Sequence, residues 1–140
     1  MDKILLKMPV TIKAKLTEKL RAKLSKELED GIAQANLEIQ QIDIQAKRAI
    51  QENTKQEMSP ADFQRLDAIR QQFGQEREKR MQYVAQATKR KEDLEKLAIG
   101  AEIVQGTLER TAEVHVGDNM RELMNVEVLV EDDKIIAIRG

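Results

Sequence analysis

From Leu28 the apolar residues Ile32, Ala35, Ile39, Ile42, Ala46 and Ala49 follow in alternating steps of four and three, and then "MSPADFQ", Met58 to Gln64, interrupts the rhythm. Such a seam belongs to an amphipathic helix that packs along its length on another helix. The interruption decides which helix that is. Ser59 is a good N-cap, Pro60 sits where the first helical position tolerates a missing N–H, and Asp62 lies in the first turn, where the helix dipole favours an anion. Proline also pushes Ser59 out of the α region. A continuous helix would carry Pro60 in its interior at a cost of about 3 kcal/mol. The sequence therefore predicts that one helix ends by about Met58 and another starts at Pro60, folding back on the first.

The second helix is expected to run to about Ile99, with Phe63, Leu66, Ile69, Phe73, Met81, Val84, Ala87, Leu94 and Ala98 as its stripe and Gly100 as its C-cap. Its middle, "GQEREKR" from Gly74 to Arg80, holds no apolar residue, so a polar layer or local opening is expected there. Upstream, Leu20, Leu24, Leu28 and Ile32 step by four, and a change of supercoil is expected near Gly31. With the turn at Ser59, residue i of the first helix faces residue 118 − i of the second.

The flanks have a different period. Ile4, Leu6, Met8, Val10 and Ile12 alternate with mostly polar residues, a half-buried strand in which Pro9 marks an edge or a bulge. Val104, Leu108, Ala112, Val114 and Val116 share one parity of a second strand, with Gly106 as a bulge or bend. "GDNMRELM" offers Asp118 or Asn119 as the N-cap of a helical turn, and "VEVLVEDDKIIAIR" reads as a hairpin turning through Glu131 to Lys134. A lone first strand is not stable, so it must pair with these. The expected fold is α+β: residues 1–13 and 100–140 form a small antiparallel sheet or barrel head. A long antiparallel coiled-coil hairpin, residues 14–99 with its tip near 58–62, is inserted after the first strand and projects from the head.

Composition narrows the function classes. With two Phe, one Tyr and no Trp there is little bulky material for a large core, and no cysteine is present for disulfides, thiolate metal sites or a thiol nucleophile. No stretch approaches the roughly 18 apolar residues of a membrane span, and the N-terminus lacks a signal-peptide pattern, so a cytoplasmic protein without membrane contact is expected. Charge is uneven along the chain. Residues 1–26 carry eight Lys/Arg against two acids, whereas residues 100–140 carry four against nine.

The basic strand, the charged helical middle and the tail "VQGTLERTAEVHVGDNMRELMNVEVLVEDDKIIAIR", with its "VGD" turn and closing isoleucine-rich strand, resemble the YlqD family of small bacterial proteins. The resemblance is sharpest over Gly106 to Arg139 and covers most of the chain. It implies a bacterial housekeeping protein of the kind found near translation genes, and it implies no catalytic activity, cofactor or functional residue.

Chemistry-bearing residues are sparse. His115 is the single histidine and sits on the polar parity of its strand. Glu131 to Asp133 lack the spaced ligands and glycine of a calcium loop and read as a solvated turn. No glycine-rich phosphate cradle or nucleophile motif occurs. Neither a catalytic site, a metal nor a cofactor is expected, and the chain is not read as an enzyme. Two surfaces remain. Met58, Phe63 and Leu66 gather apolar area at the hairpin tip, either to staple the helices or to grip a partner. Lys19, Lys23, Lys26, Lys89, Arg90 and Lys91 form a basic belt at the hairpin base, which neighbouring acids such as Glu92, Asp93 and Glu95 neutralise in part.

The reading that follows is a non-catalytic interaction or scaffold protein acting through its hairpin on a protein partner. Leu37 and Ile44 lie off the seam, which suggests a homodimer through the arms. The alternative is a ribosome-associated accessory factor that contacts structured RNA through the belt.

Overall fold

The computed structural model describes all 140 residues, as β1 (Lys3–Lys15), α1 (Glu18–Glu52), α2 (Pro60–Lys96), β2 (Glu102–His115), α3 (Met120–Met124), β3 (Glu127–Glu131) and β4 (Lys134–Arg139). It is an α+β chain with two long helices between its first and second strands. Two compact units divide it: Met1–Lys23 with Lys96–Gly140, and Leu24–Glu95.

The first unit is built on a four-stranded sheet of order β2-β1-β3-β4. Strand β1 pairs antiparallel with β2 along its whole length, from Lys3 opposite His115 to Lys15 opposite Glu102. The register shifts between Ile12 and Lys13, which leaves Gln105 as the extra residue beside Gly106. That is the bulge expected from the glycine.

The sheet is mixed, which corrects the expectation of a purely antiparallel head: β3 runs parallel to β1, with Thr11 opposite Glu127 and Ala14 opposite Val130. Because β2 occupies one edge of β1 throughout, the later strands have only the other edge. The segment through α3 carries the chain from His115, beside Lys3, to Glu127, beside Thr11, so β3 arrives pointing the same way as β1. Pro9 fits this arrangement. Its position lies on the part of β1 that β3 does not reach, where a missing N–H leaves no ladder bond unmade.

Strands β3 and β4 form a tight hairpin whose two turn residues, Asp132 and Asp133, both have positive φ, 45° and 70°. That twist matches the flanking strands, and aspartate is among the few residues besides glycine that accept it. Met8, Val10, Ala14, Leu16, Ala112 and Leu129 form the core of this unit, and Leu16 is fully buried. Its backbone is clasped on both sides: Leu16 N donates to Ala101 O, and Gly100 N donates to Leu16 O. Gly100, at φ +94°, therefore serves the turn after α2 and does not cap the helix, which ends at Lys96 and not near Ile99.

The second unit is an antiparallel helical hairpin. Helix α1 ends at Glu52, and the side-chain amide of Asn53 and hydroxyl of Thr54 donate to the carbonyls of Ala49 and Ile50 in its last turn, Ala49 O accepting from Asn53 N as well. Helix α2 starts at Pro60, and the Ser59–Asp62 pair forms a reciprocal capping box: Asp62 N donates to Ser59 Oγ at 3.2 Å, and Ser59 N donates to Asp62 Oδ2 at 3.0 Å. Ion pairs Glu38–Arg80, Asp43–Arg77 and Glu29–Lys91 fix the register, with residue i of α1 facing 118 − i to 120 − i of α2. Ala35, Leu66, Ala87 and Leu94 are the buried residues of its seam. No helix of the chain is long and apolar enough to cross a membrane.

Candidate interaction surface

The hairpin keeps few large apolar side chains inside. Leu66 and Leu94 are buried, whereas Leu37, Ile44, Phe63, Met81 and Tyr83 are exposed. Leu37 and Ile44 are off the seam by their spacing, whereas Phe63 and Met81, which the spacing places on the stripe of α2, lie outside it. Of the tip residues, Leu66 belongs to the seam and Met58 is half-buried, its Sδ accepting from Lys55 N at 3.4 Å. Phe63 is 57% exposed. The apolar tip is thus divided between stapling and exposure.

The tip is also polar where it turns. Two hydrogen bonds from Ser59, backbone first and side chain second, hold the Asp62 carboxyl down at about 2, and Lys55 adds an ion pair at 3.4 Å.

The basic residues are distributed over both units. Lys19 and Lys23 belong to the sheet unit, while Lys26, Lys89, Arg90 and Lys91 belong to the hairpin. Lys91 is bound to Glu29 at 2.7 Å, and that hydrogen bond raises the lysine's pKa. Lys26, Lys89 and Arg90 are exposed and stand outside the hairpin's ion pairs.

The apolar gap in α2 becomes a polar layer. Glu76 and Arg80 occupy inward positions, Arg80 bridges Glu76 and Glu38, and Arg77 meets Asp43 at 3.0 Å. The hydrogen bond between Arg80 and Glu76 lowers the carboxyl's pKa and raises the guanidinium's. Beside this layer lies an open groove of about 390 Å³ lined by Gly31, Gln34, Ala35, Glu38, Lys79, Arg80 and Tyr83. Within it the Tyr83 hydroxyl lies against Gly31, a pairing that no local pattern announces because the two residues meet only once the register is set.

In the sheet unit, polar side chains serve the fold. Thr17 caps α1, its Oγ accepting from Leu20 N and donating to Asp132 Oδ1 at 2.8 Å. Asp118 Oδ2 accepts from His115 N at 2.7 Å, and Asn119 caps α3. Exposed apolar area persists here too, with Leu108, Ile135 and Ile138 on the strands of the sheet.

A small mixed sheet with a long helical hairpin between its first two strands defines an α+β protein. The YlqD protein family model matches residues 4–139, and the chain belongs to that family. Among solved structures, the crystal structure of a protein of unknown function from Synechococcus sp. WH 8102 has the same fold, with a TM-score of 0.87 and 24% identity over 99% of this chain and 95% of that one. No curated protein matches.

Proposed function

We propose that this YlqD-family protein is a non-catalytic interaction protein whose helical hairpin binds another protein chain in the bacterial cytoplasm. The observation that carries the reading is the apolar area the hairpin leaves outside: Leu37, Ile44, Phe63, Met81 and Tyr83 are exposed, while Leu66 and Leu94 are buried and the other large apolar residues are half-buried. Exposed apolar area of this kind gains free energy when a partner covers it. Two aspartates serve the fold, Asp62 in a cap and Asp132 in a tie to Thr17. The test is affinity capture with the intact chain and with a Phe63→Ser, Met81→Ser variant. A defined protein that resists nuclease and high salt and is lost with the variant supports the reading. Capture that the variant leaves unchanged removes it.

Lys26, Lys89 and Arg90, exposed and outside the hairpin's ion pairs, favour a second reading as an accessory factor on structured RNA. Contact with about five phosphates predicts a log–log salt slope of about −4. Absence of RNA binding at low salt removes this reading.

A further inference from the structure

We infer that the partner covering the outer face of α1 is α1 of a second copy of this chain, antiparallel and centred between Gln40 and Gln41. This rests on the reading of the hairpin as the interacting part and concerns its α1 face, apart from the Phe63 and Met81 surface of α2. Leu37 and Ile44 are two helical turns apart on the face away from Ala35, and they are 48% and 62% exposed. Ala33 precedes them on that line, and the polar residues nearest the centre are two glutamines, which hydrogen-bond to each other equally well across a two-fold axis.

Charge selects the partner. An isologous interface must be complementary to itself, so each side has to carry both signs in mirrored places. Asp30 lies seven residues before Leu37, and Arg48 lies four after Ile44. Neither takes part in the hairpin's ion pairs. With residue i facing about 81 − i of the copy, Leu37 packs on Ile44 in both halves, and Asp30 of each chain comes within a turn of Arg48 of the other. The stretch from Asp30 to Arg48 is about 27 Å long.

Analytical ultracentrifugation of the full chain tests the inference, with cross-linking to locate the contact. The expected mass is twice 16.0 kDa. Leu37→Asp with Ile44→Asp should give a folded monomer by circular dichroism, because both side chains are already exposed. Asp30→Arg or Arg48→Asp alone should weaken association about tenfold, and the two together should restore it. The natural chain has no cysteine, so Gln40→Cys should form an intermolecular disulfide, while Gln51→Cys, about 31 Å from its own copy in this register, should not. A monomer at every attainable concentration overturns the inference, as does a dimer that survives the Leu37 and Ile44 changes or cross-links at Gln51. A monomer that still captures a protein through Phe63 and Met81 leaves the broader reading standing, so the two failures are distinguishable.

Discussion

The hydroxyl of Tyr83 lies where a side chain at residue 31 would begin, so a β-carbon at Gly31 would collide with it. A mid-helix glycine costs about 1 kcal/mol relative to alanine, so this contact opposes the local preference of α1. Gly31→Ala is expected to displace the tyrosine, and because Tyr83 is the single tyrosine of a chain without tryptophan, its fluorescence reports the movement directly. In a Tyr83→Ala background the same change should stabilise the hairpin by about 1 kcal/mol, and the double-mutant cycle should show the coupling. Additive effects would mean that the tyrosine does not occupy that space.

The capping box makes the start of α2 sensitive to acid. The folded Asp62 carboxyl titrates at about 2 against an ordinary 3.8, because Ser59 donates to its charged form. A depressed pKa means that the unfolded state binds protons first. The contribution is therefore complete above about pH 4 and lost as pH falls through 2. Ser59→Ala should cost about 1 kcal/mol at neutral pH and return the Asp62 titration, followed by carbon-detected NMR, towards 3.8.

The β3–β4 turn carries backbone strain at two aspartates. Asp133→Gly, at φ 70°, should raise the urea midpoint of the sheet unit by an amount equivalent to about 1 kcal/mol. Asp132→Gly should gain less, because Asp132 also accepts from the Thr17 hydroxyl that caps α1. Equal gains at the two positions would show that the tie to Thr17 contributes nothing.

The Glu38–Arg80–Glu76 layer is only half-buried, so its effect should depend on salt. Arg80→Gln is expected to lower the thermal midpoint at low ionic strength, with the difference shrinking as salt is added. A deficit independent of salt would mean that the arginine acts through the packing of its aliphatic stem.

Whatever depends on neighbours along the chain is legible in the sequence alone. Ser59, Pro60 and Asp62 specify a helix start within four residues. The four-three rhythm of α1 and the alternation of β1 declare their periods within two turns or a few residues. The polar gap at Gly74 to Arg80 announces the layer that Arg80 completes. The resemblance of the tail to its family is present in the residues themselves. Tertiary structure decided the rest. The parallel placement of β3 follows from β2 occupying one whole edge of β1, a contact across about a hundred residues that no local pattern encodes. The approach of Tyr83 to Gly31 requires the hairpin register, set by distant ion pairs. Leu37 and Ile44 are off the seam by spacing alone, but the exposure of Phe63 and Met81, which share the spacing of the α2 stripe, is settled by packing. Periodicity is a property of the chain, whereas adjacency and exposure belong to the packed molecule.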